Sequence, residues 1–257
     1  MSSMHTLSSN PRPELSNFNR TEQGTPEWWK QRSNIFSGSK IANLCFLKNA
    51  EERQVYYEEV FGLRPRKPLD AEAMKRVNFG KTHEIDGVRN AIARCQGMQM
   101  WEVGFEKHPQ PLHATWFGSS PDGVVFWPEM NRETPWAALE IKCSTKMTNG
   151  RNIPHSGIPY YYIGQLHAEM KCMPLPSACT WSVFVSWSKT KCKMWTVQFS
   201  PAYWNILWDL ACDFSCNDTT WESFAARQKT FVDASKQICR QATPLHPRGG
   251  FDTIQFE

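Results

Sequence analysis

The run Ala137-Ala138-Leu139-Glu140-Ile141-Lys142-Cys143 constrains the fold of this chain more than any other stretch. Side chains on a β-strand alternate between faces, so Leu139, Ile141 and Cys143 share an apolar face while Glu140 and Lys142 share the other. Such a strand is buried on one side and holds an acid and a base together on the other. Val124-Val125-Phe126-Trp127 is strand-like as well, and residues 128–135 are rich in turn formers and charge, which predicts a hairpin. With its turn near Asn131, Asp122 of Ser120-Pro121-Asp122-Gly123 falls opposite Glu140. Facing carboxylates in a partly buried place repel unless a cation lies between them, and hard oxygen ligands select Mg²⁺ or Mn²⁺ over softer metals. Lys142, one pleat repeat from Glu140, is placed to orient or deprotonate a water, or to stabilise charge on a phosphate. Pro-Asp-Gly is common as a plain turn and Glu-x-Lys as a solvated strand face. Both halves together, with apolar alternation around them, are more specific than either alone.

A chain of 257 residues can bury a sizeable core, and one domain with tails is the simplest count. Aromatic residues at 13%, twelve of them Trp alone, exclude a disordered chain. A net charge of +4 admits a nucleic-acid groove without requiring one. The nine cysteines are odd in number and follow no pairing rhythm, and the N-terminus carries no secretory signal, so reduced intracellular thiols are expected. Cys212-x3-Cys216 with Cys239 does not have the spacing of an iron-sulphur site. No apolar run approaches the ~18 residues of a membrane span, so a soluble protein is expected.

Along the chain, residues 1–24 read as a flexible tail, 25–242 as one folded domain and 243–257 as a tail of uncertain order. Thr25-Pro26 caps a first helix that carries Arg32, and Ser37 or Ser39 is expected to cap a second. The start of that second helix, with Arg32 beside it, suits a phosphate, although on the residues alone Ser39 as a plain cap and Arg32 as a surface charge is the favoured reading. The basic loop at residues 62–68 could touch a DNA backbone, though such loops are usually just solvated. A helix opening near Phe79 shows an apolar stripe of Ile85, Val88, Ile92 and Cys95, with Glu84 beside it in the first turn. Short strands are expected at residues 98–105 and 114–118. A polar loop at residues 146–158 offers Lys146, Arg151 and His155 to a substrate channel. The helix after Pro159 has an inward stripe of Tyr162, Ile163, Leu166 and Met170, with Gln165 one position off it. A second hairpin about residues 188–191 and helices capped at Ser200 and by a Thr219-x2-Glu222 box complete the scaffold.

At Pro121-Asp122 and Glu140-Ile141-Lys142 the sequence resembles the PD-(D/E)xK nuclease superfamily. Ser120-Pro121-Asp122-Gly123 followed by Leu139-Glu140-Ile141-Lys142-Cys143 is similar, more narrowly, to the lambda-exonuclease-like (YqaJ) viral recombinase family. Trp28-x3-Arg32 with Ser37-x-Ser39-Lys40, Gly80-Lys81-x2-Glu84, and Tyr162-Ile163-x-Gln165 resemble other motifs of that family in the same order. The resemblance implies an α/β (α+β) fold with a central mixed β-sheet flanked by helices and a restriction-endonuclease-like core. It also implies a Mg²⁺-dependent deoxyribonuclease, with Mn²⁺ as a substitute and two ions in the site. Asp122, Glu140, the Ile141 carbonyl and Glu84 would hold metal, Lys142 and Gln165 would position the attacking water, and Arg32, Ser37, Ser39 and Ser120 would bind phosphate. The function implied is a 5′-to-3′ exonuclease on linear double-stranded DNA, in end resection for single-strand-annealing recombination or viral DNA processing. Partners would be duplex ends, an annealing protein and, in a ring trimer, further copies of the chain; a monomer is the alternative. The setting would be a bacterial cytoplasm or a eukaryotic nucleus. An endonuclease of DNA or RNA, and a non-catalytic nucleic-acid-binding protein, are the competing expectations.

Overall fold

The computed structural model describes residues 17–95, 97–127, 136–143, 147–148, 151–152, 154–174, 180–188 and 191–245. Its helices are α1 (Pro26–Arg32), α2 (Ile41–Leu44), α3 (Ala50–Val60), α4 (Ala71–Arg94), α5 (Pro111–Ala114), α6 (Ile163–Cys172), α7 (Pro201–Cys216) and α8 (Trp221–Gln241). The strands are β1 (Phe36–Ser37), β2 (Gln99–Trp101), β3 (Glu106–Lys107), β4 (Phe117–Ser119), β5 (Gly123–Phe126), β6 (Trp136–Cys143), β7 (Met147–Thr148), β8 (Arg151–Asn152), β9 (Trp181–Ser188), β10 (Lys191–Gln198) and β11 (Thr243–Leu245). Short 3-10 turns at Gly38–Lys40 and Tyr160–Tyr162 precede α2 and α6.

The alternating run sits where it must, in the interior of the main sheet, whose order is β11-β10-β9-β6-β5-β2. β6 pairs antiparallel with β5, Gly123 facing Leu139, and parallel with β9, Glu140 facing Phe184. The sheet is therefore mixed, as expected. Leu139 and Ile141 turn to one face and pack with Val183, Val185, Ala91 and Cys95 beneath α4. On the other face Phe184, Trp195 and Val197 pack with Leu166, Leu207, Phe214, Phe224 and Phe231 of α6, α7 and α8. Phe184, Phe214, Phe224 and Phe231 are wholly buried, each contributing about 1.5–3 kcal/mol relative to exposure. A smaller sheet, β1-β4-β3, joins the segment after α1 to the segment leading into Asp122.

Several expectations change in detail. Residues 17–24 are packed rather than tail-like: Phe18 is buried and the Asn19 N–H donates to Glu106 at 2.8 Å. The rest of the expected tail, residues 1–16, lies outside the described residues, as do Asn131, Lys146 and residues 246–257. α4 begins at Ala71, capped by the Asp70 carboxylate on the Ala73 N–H at 2.7 Å, not near Phe79. Its inward face is Gly87, Asn90 and Ala91, leaving Ile85 53% and Ile92 37% exposed, so only Val88 and Cys95 of the expected stripe pack. Small residues win because α4 lies close on β6: a Cβ on Gly87 would meet Ile141 Cγ2 at 2.8 Å. Ala114, expected to open a strand, instead closes a short helix begun by Pro111. Thr220, rather than Thr219, caps α8 by accepting from the Ser223 N–H. Residues 243–245 add a strand to the edge of β10. No disulfide joins the described cysteines, and no described helix is long and apolar enough to cross a membrane.

Candidate active site

The β5–β6 register places Asp122, the residue before β5, across from Glu140. Its carboxylate accepts the Ile141 N–H at 2.6 Å, where β5 has run out and β6 would otherwise lack a partner. Within a strand a residue's N–H and C=O point to the same side, so the Ile141 carbonyl faces the Asp122 side as well. Glu140 is 1% exposed and shares the α6 face with Lys142, whose ammonium donates to Glu140 Oε1. Tyr162 lies under that ammonium, its ring centre 5.1 Å away.

α6 completes the floor. Gln165 is buried and its Nε2 donates to Glu140 Oε1 at 2.7 Å and to Glu169 Oε1 at 2.8 Å. With both amide protons committed, the Gln165 amide has one orientation. Glu169 is wholly buried one helical turn on and was not singled out by the sequence; its i, i+4 spacing from Gln165 is the signal that could have found it. Glu84 arrives from α4 on the opposite face of the sheet, three residues before the close approach at Gly87.

Negative charge is crowded here. Burial first, then Glu140 and Glu84, pushes the Asp122 carboxyl well above the usual range, with Lys142 and the Ile141 N–H opposing. Burial and then Glu140 push Glu169 up likewise, and Glu84 rises for the same two reasons. Burial works against the Lys142 ammonium, but Glu140 and Asp122 outweigh it and hold its pKa above the ordinary value. Oε2 of Glu140 and Oε2 of Glu169 are buried without a hydrogen-bond partner among the described residues. Among those residues no group of three or more His, Cys, Asp or Glu side chains stands ready as it is to hold a metal ion. The donor set nevertheless fits a hard divalent cation: the carboxylates of Asp122 and Glu140, one with an unpartnered oxygen, and the Ile141 carbonyl.

A second cluster carries the opposite sign. Arg32, at the end of α1, donates to Ser39 Oγ at 2.9 Å and to Ser37 Oγ at 3.3 Å. Neither serine makes a side-chain cap; both hydroxyls are turned to the guanidinium, which corrects the capping expectation. The guanidinium stacks 4.2 Å above the Trp28 ring, and Trp28 Nε1 donates to Ser120 Oγ at 3.1 Å. Ser120 in turn donates to the Gly104 carbonyl at 3.1 Å, so its hydroxyl is engaged in holding this corner together. Burial lowers the Arg32 pKa to about 10, with Glu140 opposing and Arg66 adding to the fall. Burial, then Arg66 and Arg32, lowers Lys40 to about 7. Arg66, from the basic loop read as mostly solvated, therefore belongs to this pocket electrostatically. Of the polar loop, His155 is held by Ser186 on β9, its ring nitrogen 2.9 Å from Oγ.

The family model described as the YqaJ-like viral recombinase domain matches residues 27–176, which spans every residue named in the two clusters. Among solved structures, the crystal structure of an alkaline exonuclease (LHK-Exo) from Laribacter hongkongensis is similar with a TM-score of 0.52 and 21% identity. The match covers 84% of this chain and 99% of that one, and at that identity it shows the fold. No curated protein matches.

Proposed function

The chain belongs to the YqaJ-like viral recombinase domain family, and from that premise we propose that it is a Mg²⁺-dependent 5′-to-3′ exonuclease on linear double-stranded DNA. The observation that carries this reading is the meeting of Asp122, just before β5, with Glu140 and Lys142 on β6 and Gln165 on α6. The similar structure is titled an alkaline exonuclease, which makes exonuclease activity the first to test. Asp122, Glu140 and the Ile141 carbonyl would hold Mg²⁺, or Mn²⁺ in its place, with Glu84 toward a second ion. When bound, such an ion supplies positive charge to the phosphate under attack and to its leaving oxygen.

The chain's own groups do the rest. Lys142 presents ammonium donors beside Glu140, and Gln165, its amide protons held by Glu140 and Glu169, presents its amide oxygen as an acceptor; together they orient a water against the scissile phosphate. Arg32, with the Ser37 and Ser39 hydroxyls, forms a planar charged donor set suited to a terminal phosphate, and Arg66 adds positive charge behind it. Ser120 contributes by fixing Trp28 under Arg32 rather than by a free hydroxyl. The biological setting we propose is end resection in single-strand-annealing recombination or viral DNA processing, with an annealing protein as partner.

One assay separates the alternatives. Purified protein is offered linear duplex with 5′-phosphate, the same duplex with 5′-hydroxyl, closed circular DNA and RNA, each with Mg²⁺ and with chelator. The expected result is Mg²⁺-dependent loss of linear duplex, fastest from 5′-phosphate. Cutting of closed circles or of RNA at a similar rate would identify an endonuclease or a ribonuclease instead, and no cutting of any substrate would identify a binding protein.

A further inference from the structure

Beside the candidate active site runs a groove that the catalytic residues do not use. It encloses about 420 Å³ between residues 155–160 on one wall and Lys236, Cys239 and Arg240 of α8 on the other. Lys236 and Arg240 are exposed and lie one helical turn apart, so their side chains share a face at about 5–6 Å between Cβ atoms. Among the described residues lining the groove, none is a carboxylate. Asp233, the acid that feels Lys236, is engaged by Lys229 at 2.7 Å, which accounts for most of the lowering of its pKa. The positive charge on this wall is thus left for a ligand.

The other wall ends at Tyr160, and further rings pack against Tyr160 just outside the groove. Lys236 Nζ lies 5.5 Å from the centre of the Tyr160 ring, and Phe46, 50% exposed, contacts Tyr160 at 6.4 Å and Tyr161 at 5.6 Å. Tyr161 meets Tyr162 at 4.6 Å, and Tyr162 is the ring beneath Lys142. A ladder of rings therefore leads from the candidate active site to the groove. Cations spaced along a helix face and an open aromatic platform are together what a single strand needs, phosphates going to the cations and base faces to the rings. Duplex DNA keeps its base faces within the stack and cannot use the platform.

Resting on the nuclease reading above, we infer that this groove is a track for single-stranded DNA, taking the strand left uncut as the duplex is consumed. Lys236 and Arg240 hold its phosphates, and Tyr160 and Phe46 stack its bases.

The test is fluorescence anisotropy of a labelled oligothymidylate, and of a labelled duplex, with the full chain in chelator so that nothing is cut. Lys236→Glu with Arg240→Glu should weaken single-strand binding roughly tenfold or more. It should also flatten the log–log salt dependence by about 1.4, at roughly 0.7 for each phosphate no longer neutralised. Duplex binding should stay within about twofold. Phe46→Ala with Tyr160→Leu should weaken single-strand binding while leaving the salt slope unchanged, which distinguishes stacking from charge. Lys236→Arg, which keeps the charge, should bind as wild type, and thermal melts establish that each variant is folded. Unchanged single-strand affinity and slope in the charge-reversed pair, or an equal loss on duplex, overturns the inference. Failure of the nuclease reading shows up separately, as duplex left intact by wild type when Mg²⁺ is restored.

Discussion

Around Glu140 the protein packs like charges against one another, and around Arg32 it does the same with the opposite sign. In the first region Asp122, Glu84 and Glu169 are all pushed upward, by burial and then by neighbouring carboxylates. In the second, Lys40 is driven down to about 7 by burial, then by Arg66 and Arg32. The difference lies in what opposes the repulsion from within the chain. The acid centre has an internal cation in Lys142 and an amide donor in Gln165, mounted on the central sheet and a wholly packed helix. The basic pocket has serine hydroxyls, carried by a two-residue strand and a 3-10 turn. A buried centre with its own counter-charge responds weakly to bulk salt, while a partly open pocket held by neutral hydroxyls is screened readily. The acid centre should therefore govern rate and the pocket should govern end choice.

The largest break in that comparison should come from Asp122→Asn. Single-turnover cleavage is expected to fall by about 10²–10³ or more, while duplex binding in chelator is retained. A rate within tenfold of wild type would remove the acid centre from the chemistry. Glu169→Leu comes next, because it frees the Gln165 amide to turn: kcat should fall about 10–100-fold at unchanged KM. Glu169→Gln should restore most of that rate, since its oxygen can still accept from Gln165. Arg32→Ala should lower the preference for 5′-phosphate over 5′-hydroxyl by roughly tenfold, in line with the ~1.5–3 kcal/mol of a charged hydrogen bond, while leaving the rate on hydroxyl ends alone. Equal loss on both ends would move Arg32 from end choice to catalysis.

Gly87→Ala probes the scaffold beneath the acid centre. Its new methyl meets Ile141 Cγ2 at 2.8 Å, and urea unfolding should show a loss of about 1–3 kcal/mol. Lys40 tests the pocket through pH rather than rate. With a folded pKa of about 7 against an ordinary 10.5, the unfolded chain binds a proton that the folded chain lacks between those values. Stability therefore rises with pH across that window and is lost as pH falls through about 7. Lys40→Met should flatten the rise in thermal midpoints between pH 7 and 10.5, and an unaltered slope would count against a crowded basic pocket.

The hairpin was legible because alternation in 137–143 admits one buried register, and that register fixes Asp122 against Glu140. Gln165 was legible only through its motif, since by periodicity it falls off the stripe; the helix is buried all round, so the stripe had no power to exclude it. Ser37 and Ser39 were found for the right neighbourhood and the wrong bond, because a capping propensity says nothing about an arginine on the preceding helix that competes for the hydroxyls. Glu169 and Arg66 escaped for different reasons. Glu169 lies one helical turn from Gln165, a spacing that could have found it, whereas Arg66 acts on charges distant in sequence, which loop composition does not encode. α4 misled in the other direction: apolar spacing picked out Ile85 and Ile92, while contact with β6 is made through the smallest side chains on the helix.

The bond from Trp28 to Ser120 ties the pocket to the acid centre, with Pro121 alone between Ser120 and Asp122. Arg32 rests on that same indole. For an enzyme that holds a terminal phosphate and cuts the next bond, such a tie works as a gauge block. On the proposed exonuclease reading, the anchor and the cutter would not drift apart independently, and the stride along the strand would stay the same from one turnover to the next.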